Sequence, residues 1–330
     1  MSSLLQRLDR WQQRRPALAV PLGVFKRFGE HGGSRLATVV SYYSFFSVFP
    51  LLLATVTVLG IVLEGNEELR GDLVEGALGQ IPVIGADLSG PGALTGSTIA
   101  LVVGVATAAW AGMAAVIALQ TALDEIADEP MHARANLIGK RLRALVFLVL
   151  FAVGLAGSTV LANLATLFEL GPFAGGLGLV ATAVVDTAVL LAAFSVLPTQ
   201  RRPWRQLWPG AILAGVALTA LQQLGSFVVR RYISGAGDTY GVFAVVIALL
   251  SWFHLVIRVI LLAAEVNGVV GGRLWPRSIA PDAPLTEADR RALQRDIERV
   301  QRDRRAGVAV AVGGDIVADI PVGDQLETSR

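Results

Sequence analysis

The residues best able to do chemistry sit in an apolar run. In SWFHLVIRVILLAAEVNGVV, residues 251–270, Ser251, Arg258 and Glu265 recur every seven residues, with His254 between the first two and Asn267 just beyond the last. On a helix, Ser251, His254, Arg258 and Glu265 fall along one stripe. An unpaired charge at the centre of a bilayer costs roughly 2.5–3.5 kcal/mol even on lenient scales. Such a stripe is expected to face the interior of a helix bundle, either as a wet path for a solute or as glue between helices. Both readings stand.

Other polar residues interrupt apolar runs in the same way. Asp186 lies within an otherwise uncharged segment, and Asn163 in the one before it. Both Asp186 and Arg258 are expected near mid-depth, so each is the other's most economical partner in a low-dielectric interior. In SYYSFFSVFP, residues 41–50, Ser41, Ser44 and Ser47 recur every three, and Pro50 removes a rung of the backbone ladder. Small hydroxyl residues on one stripe suit close helix packing. A carbonyl freed by Pro50 could instead line a cavity.

The elements that carry these residues follow from hydropathy. The chain is 54% hydrophobic and 16% charged, with a mean hydropathy of +0.60. Six apolar runs, at about 37–63, 97–123, 142–168, 177–197, 208–229 and 242–270, each suffice to cross a bilayer as a helix. None alternates as a barrel strand would. The expected fold is therefore all-α, a polytopic membrane protein with six transmembrane helices. The first run begins beyond residue 36, which predicts no cleavable signal peptide. The absence of cysteine excludes disulfides and thiolate chemistry.

Lysine and arginine alternate across these runs. Of 28, 24 precede the first run, follow the sixth, or lie in the second and fourth connections, 3 lie in the other connections, and Arg258 is inside a run. The positive-inside rule puts both termini in the cytoplasm. The basic pI, about 9.3, then reflects orientation in the membrane, and no nucleic-acid partner is expected.

Flanking segments have their own patterns. Residues 1–36 are basic and amphipathic: Leu4, Leu5, Leu8 and Trp11 share a face, Pro16 and Pro21 interrupt the pattern, and Phe25 and Phe28 flank Lys26 and Arg27. This segment could lie on an anionic membrane surface or cap the bundle. The acidic connection 64–96 predicts one short helix over 66–79 and a solvated face. The tail 271–330 predicts a helix over 286–305, opened by a Thr286/Asp289 capping box, and a hairpin around Gly313-Gly314. That hairpin is too small to stand alone, so the rest of the tail is expected to be poorly ordered.

Three strings, ATVVSYYSFFSVFPLLL (37–53), LPTQRRPWRQLWPGAILAG (197–215) and TYGVFAVVIALLSWFHLVIRVILLAAEVN (239–267), resemble the YihY/BrkB family of bacterial inner-membrane proteins, to which a ribonuclease BN activity, since withdrawn, was once ascribed. The resemblance covers roughly 20–270. It implies a six-helix protein of the cytoplasmic membrane linked to envelope integrity and export of lipid-like molecules. Glu265 and Asn267 match its pattern, whereas His254 and Arg258 depart from it.

Three functions compete. A transporter or flippase of an envelope lipid or amphiphilic anionic solute fits the polar stripe. With no P-loop motif in the sequence, it would draw on a gradient or a partner. A non-transporting envelope scaffold needs only the glue reading. A hydrolase or ribonuclease needs clustered carboxylates or histidines. His31, His132 and His254 are expected in three compartments, and Asp124, Glu125, Asp128 and Glu129 read as a helix end, so no catalytic residue, metal or cofactor is expected. The expected partners are membrane lipids, an anionic lipid or amphiphile as substrate, and, left open, a second copy of the chain. Single cysteines at positions 66 and 315 are predicted to react with an impermeant maleimide from opposite sides of the membrane. Labelling from one side would overturn the six-span count.

Overall fold

The computed structural model describes residues 2–62, 98–167, 174–228, 237–280, 283–303, 308–312 and 315–320. The acidic connection 64–96 and its expected short helix lie outside them. The described residues are mostly helical: α1 (Ser2–Gln13), α2 (Pro16–Glu30), α3 (Gly33–Val62), α4 (Thr98–Ile126), α5 (Leu137–Leu167), α6 (Ala174–Val196), α7 (Trp204–Val228), α8 (Gly237–Gly271) and α9 (Glu287–Val300). An antiparallel hairpin, β1 (Val308–Val312) and β2 (Asp315–Ile320), follows, with β2 against α9.

Helices α3 to α8 coincide with the six apolar runs. Stretches of four of them, Val102–Ile126, Gly176–Val196, Trp204–Gly225 and Val246–Gly271, are long and apolar enough to cross a membrane. Their exposed aliphatic side chains, such as Val103, Val180 and Ile212, suit a lipid solvent.

The chain divides into two compact units. One comprises residues 38–118 and 221–257. In it Pro50 lies inside α3, which continues past it, so the expected break is only a missing bond within a helix. Ser41 and Ser47 are buried, Ser44 is half-buried, and Ser47 Oγ donates to the Ser44 carbonyl at 2.7 Å.

The other unit comprises residues 1–37, 119–220 and 258–330. Its apolar centre gathers Val24 of α2, Val269 of α8, Leu274 and Ala292 of α9, with Val20, Leu262, Val266 and Trp275 packed around them. Pro16 opens α2, where no amide bond is lost, and Pro21 is carried inside the same helix. The buried faces of Ala19, Val24 and Phe28 hold α2 in place, which is why Pro21 does not end it as the sequence suggested.

Residues 277–279 and α9 of the tail are docked on α1 and α2. Thr286 and Asp289 form the reciprocal capping box of α9. Arg277 reaches Glu30 of α2 at 2.8 Å and Asp289 at 2.5 Å, and Asp9 of α1 accepts from Ser278 Oγ and the Ile279 amide. The basic residues of α2 turn to partners within the chain. Lys26 donates to the Ser278 carbonyl and Asp289, and Arg27 is buried.

Two of the sequence strings meet at Gly210. Pro209 lies inside α7, and Asn267 Oδ1 of α8 accepts from the Gly210 amide at 2.7 Å. A Cβ on Gly210 would overlap the Ala263 carbonyl and the Asn267 amide, whereas one on Gly268 would meet nothing nearer than 3.9 Å. Gly210→Ala should therefore destabilise the protein by about 2 kcal/mol, as overpacking does. Gly268→Ala should be neutral or slightly stabilising. Thermal unfolding of both variants in detergent checks this, and equal behaviour would rule out the close approach.

Candidate functional site

The site lies at the C-terminal end of α8, where four segments of one unit bring charges together. Helices α4 and α8 each end in the same turn. At α4 the Glu129 amide reaches the Asp124 carbonyl and the Asp128 amide that of Glu125, and at α8 Leu274 reaches Val269 and Arg273 reaches Val270. This is a Schellman closure, whose turning residue is normally glycine. Here the residues are Asp128 and Arg273, both with positive φ, 58° and 50°. Aspartate tolerates that conformation better than most residues, and it leaves the Asp128 carboxylate aimed at α2.

Helix α2 supplies the cations. Arg27, 1% exposed, donates to Asp128 and, at 2.9 Å, to Asp296 of α9. His31, at the C-cap of α2, places Nδ1 2.5 Å from Glu265 Oε1 and Nε2 2.9 Å from Asp128 Oδ1. Glu265 is 0% exposed, and its Oε2 has no hydrogen-bond partner among the described residues. A carboxylate only accepts, so the two contacts of His31 need two protons. Either the ring is an imidazolium or one carboxyl holds a proton. Burial alone would lower the His31 pKa, but the hydrogen bonds to Asp128 and Glu265 outweigh it and push it up to about 9. Burial would raise Asp128, yet His31 and Arg27 hold it below the usual carboxylate range. Burial would likewise lower Arg27, but Asp128 and Asp296 hold it above its ordinary value.

Around this cluster, Glu125 pairs with Arg134 at 2.6 Å and with Arg299 of α9. Asp124 accepts from the Thr199 amide at 2.7 Å and its hydroxyl at 3.1 Å, fixing the LPTQ corner to the end of α4. Glu129 is buried beside Asp124, and burial followed by that neighbour's charge raises its pKa to about 7. A cavity of about 30 Å³ lies nearby, lined by Phe194, Arg202, Leu207, Ala264 and Asn267 among others. It holds a water or two and no larger solute. Ligand atoms of His31, Asp128 and Asp296 lie within 4.8 Å of one another, close enough to surround a metal ion. Arg27 bonds both carboxylates and already serves as their cation.

The expected site residues lie in different surroundings. Of the α8 stripe, Glu265 and Asn267 are buried, His254 is half-buried, and Ser251 and Arg258 are exposed. A seven-residue repeat drifts about 20° per heptad on a straight helix, and what covers α8 changes along it. Asp186 Oδ2 accepts from Thr219 at 2.9 Å, while Arg258 lies over the Phe28 ring at 5.8 Å. An Asp186–Arg258 bridge is not among the ion pairs of the described residues. Asn163 lies in α5, its side chain outside the described set. The sequence reading missed Arg27, His31 and Asp128, which it assigned to a surface or capping segment, a separate compartment and a helix end.

Because the folded pKa of His31 lies above its ordinary 6.5, its contribution to stability is complete below about pH 6.5. It declines as pH rises and is lost above about 9. Glu129, raised to about 7, adds a separate decline ending near that pH. The thermal midpoint should therefore fall between about pH 7 and 9, and His31→Gln should remove that portion while costing about 3 kcal/mol at neutral pH. A wild-type midpoint flat across this interval would refute the shared-proton arrangement.

Comparison with known proteins places the chain. The family model described as Virulence factor BrkB matches residues 24–283. The chain is 23% identical over 266 residues to the ribonuclease-like protein YfkH of Bacillus subtilis, an alignment covering 76% of this chain and 94% of that one. No solved structure matches significantly. With apolar helices, the matched motifs and more than half its length within the family model, the chain belongs to the BrkB family of membrane proteins.

Proposed function

We propose that this membrane protein moves an envelope lipid or an amphiphilic anionic solute across the bacterial cytoplasmic membrane. It does so with six spans and both termini inside, and thereby contributes to envelope integrity. The observation that carries the reading is the buried charge cluster: Arg27, His31, Asp128 and Glu265 join α2, the end of α4 and the end of α8. A carrier must close each end of its path with contacts that break and re-form between discrete states. Buried ion pairs suit this, because they add little stability over apolar packing yet are lost sharply when one partner leaves. The shared proton of His31 gives such a latch a means of coupling to a proton gradient. No cofactor is invoked, and a second copy of the chain is not needed for the latch.

The alternative is a non-transporting scaffold, in which the same cluster is permanent glue. Its support is that most cluster groups are satisfied within the chain, and that the nearby cavity admits only water. Proteoliposomes separate the two. The purified protein should accelerate transfer of a fluorescent anionic phospholipid or amphiphile at least about tenfold over protein-free vesicles. Glu265→Gln should abolish most of that gain while the protein remains folded. No acceleration with any anionic amphiphile tested, with and without a pH gradient, would leave the scaffold.

A further inference from the structure

Helix α8 is longer than a bilayer is thick. Its 35 residues, Gly237–Gly271, extend about 52 Å, against about 30 Å of hydrocarbon. Its last turns are covered by α2, the turn closing α4, the 274–280 segment and α9, which bring Arg27, His31, Asp128, Arg277 and Asp296 around them. Groups of that charge density do not lie in hydrocarbon. The hydrocarbon therefore ends ahead of Glu265, and Arg258, about two turns earlier, lies within reach of that boundary. From there its long side chain can reach the headgroup level by snorkelling.

Its surroundings fit that level. The exposed guanidinium of Arg258 lies 5.8 Å from the centre of the Phe28 ring. The same ring packs against Gly33, where a Cβ would overlap it. One residue earlier, Gly32 turns the chain with φ +63°, and Nη2 of exposed Arg35 lies 3.4 Å from where its Cβ would be. Two guanidinium groups thus border one corner formed by Phe28, Gly32 and Gly33. Neither forms an ion pair among the described residues, although carboxylates elsewhere in this unit are densely paired. Phe25, on the same helix as Phe28, is 60% exposed.

We propose that this corner binds the phosphate headgroup of an anionic phospholipid in the leaflet next to α2. Arg258 and Arg35 contact the phosphate, and Phe25 lies in the acyl boundary. Arginine is suited to phosphate by its fork of donors, and an arginine on a membrane helix that lacks a protein counterion finds one in the headgroup layer. The proposal needs only that α8 crosses a bilayer. It stands whether or not the protein transports anything.

The test is thermal unfolding of the purified full-length protein in a neutral detergent, titrated with phosphatidylglycerol, with phosphatidylcholine, or with inorganic phosphate. Phosphatidylglycerol should raise the midpoint saturably, more than phosphatidylcholine, and phosphate alone should not. Arg258→Gln and Arg35→Gln, both at exposed positions, should match wild type without lipid. Each should raise the half-saturating lipid fraction about fivefold, as loss of one basic residue near an anionic surface does. Arg258→Lys should retain most of the response, and Arg205→Gln, at an exposed residue on α7, all of it. An unchanged half-saturation in the double variant would overturn the site. A response to phosphate equal to that of the lipid would overturn the headgroup assignment in favour of a soluble anion.

Discussion

The arrangement depends on one constraint: two cations, Arg27 on α2 and His31 at its C-cap, are buried, and each requires carboxylates from other segments. An arginine cannot shed its charge, so taking Arg27 out of water is tolerable only if Asp128 and Asp296 come with it. That requirement fixes where α4 may end, because Asp128 reaches α2 only from the left-handed position of the closing turn. It also fixes α9, which brings Asp296, and thereby the docking of the tail. A glycine would suit the α4 turn better as backbone, by about 1 kcal/mol, but would leave the guanidinium and imidazole short of a partner. Here the electrostatic demand decides the residue, and the backbone accommodates it.

Stability itself comes from elsewhere. Val24, Val269, Leu274 and Ala292 meet beside the charges with almost no exposure, and each large aliphatic buried in this way contributes about 1.5–3 kcal/mol. Leu274 and Val269 are also the two residues whose backbones the closing turn of α8 joins. The apolar contact and the backbone closure of α8 thus reinforce each other, and the same turn sets the path of Trp275 to Arg277 toward α1 and α9. The charges then select one docking among several that apolar packing alone would allow.

Sequence patterns made the long helices legible, because a 20-residue apolar run has few alternatives. The α9 cap was legible too, since Thr286 and Asp289 are neighbours and the capping box is local. The cluster was not. Arg27, Asp128 and Glu265 are each separated by about a hundred residues or more, and no local spacing encodes which acidic run meets which basic helix. One signal was available. DEIADEP, 124–130, sets four carboxylates at the end of an apolar helix, more than a solvated helix end requires, and all four proved to have partners on other segments or corners. The heptad spacing of Ser251, Arg258 and Glu265 misled, since it describes the helix and says nothing about what covers each turn.

The same limitation applies to depth. Hydropathy reads α8 as one apolar run because Leu, Ile, Val and Ala serve equally well against lipid and against protein. Phe243, Ile247 and Leu255 are exposed, as lipid-facing residues should be, whereas Leu261, Ala263 and Val269 are covered by protein. Glu265 falls on the covered side, where His31 reaches it. There the imidazole offsets part of the cost of burying the carboxylate, on the same helix that carries the exposed apolar residues. Any tilt or sliding of α8 must then strain its bond to His31 directly.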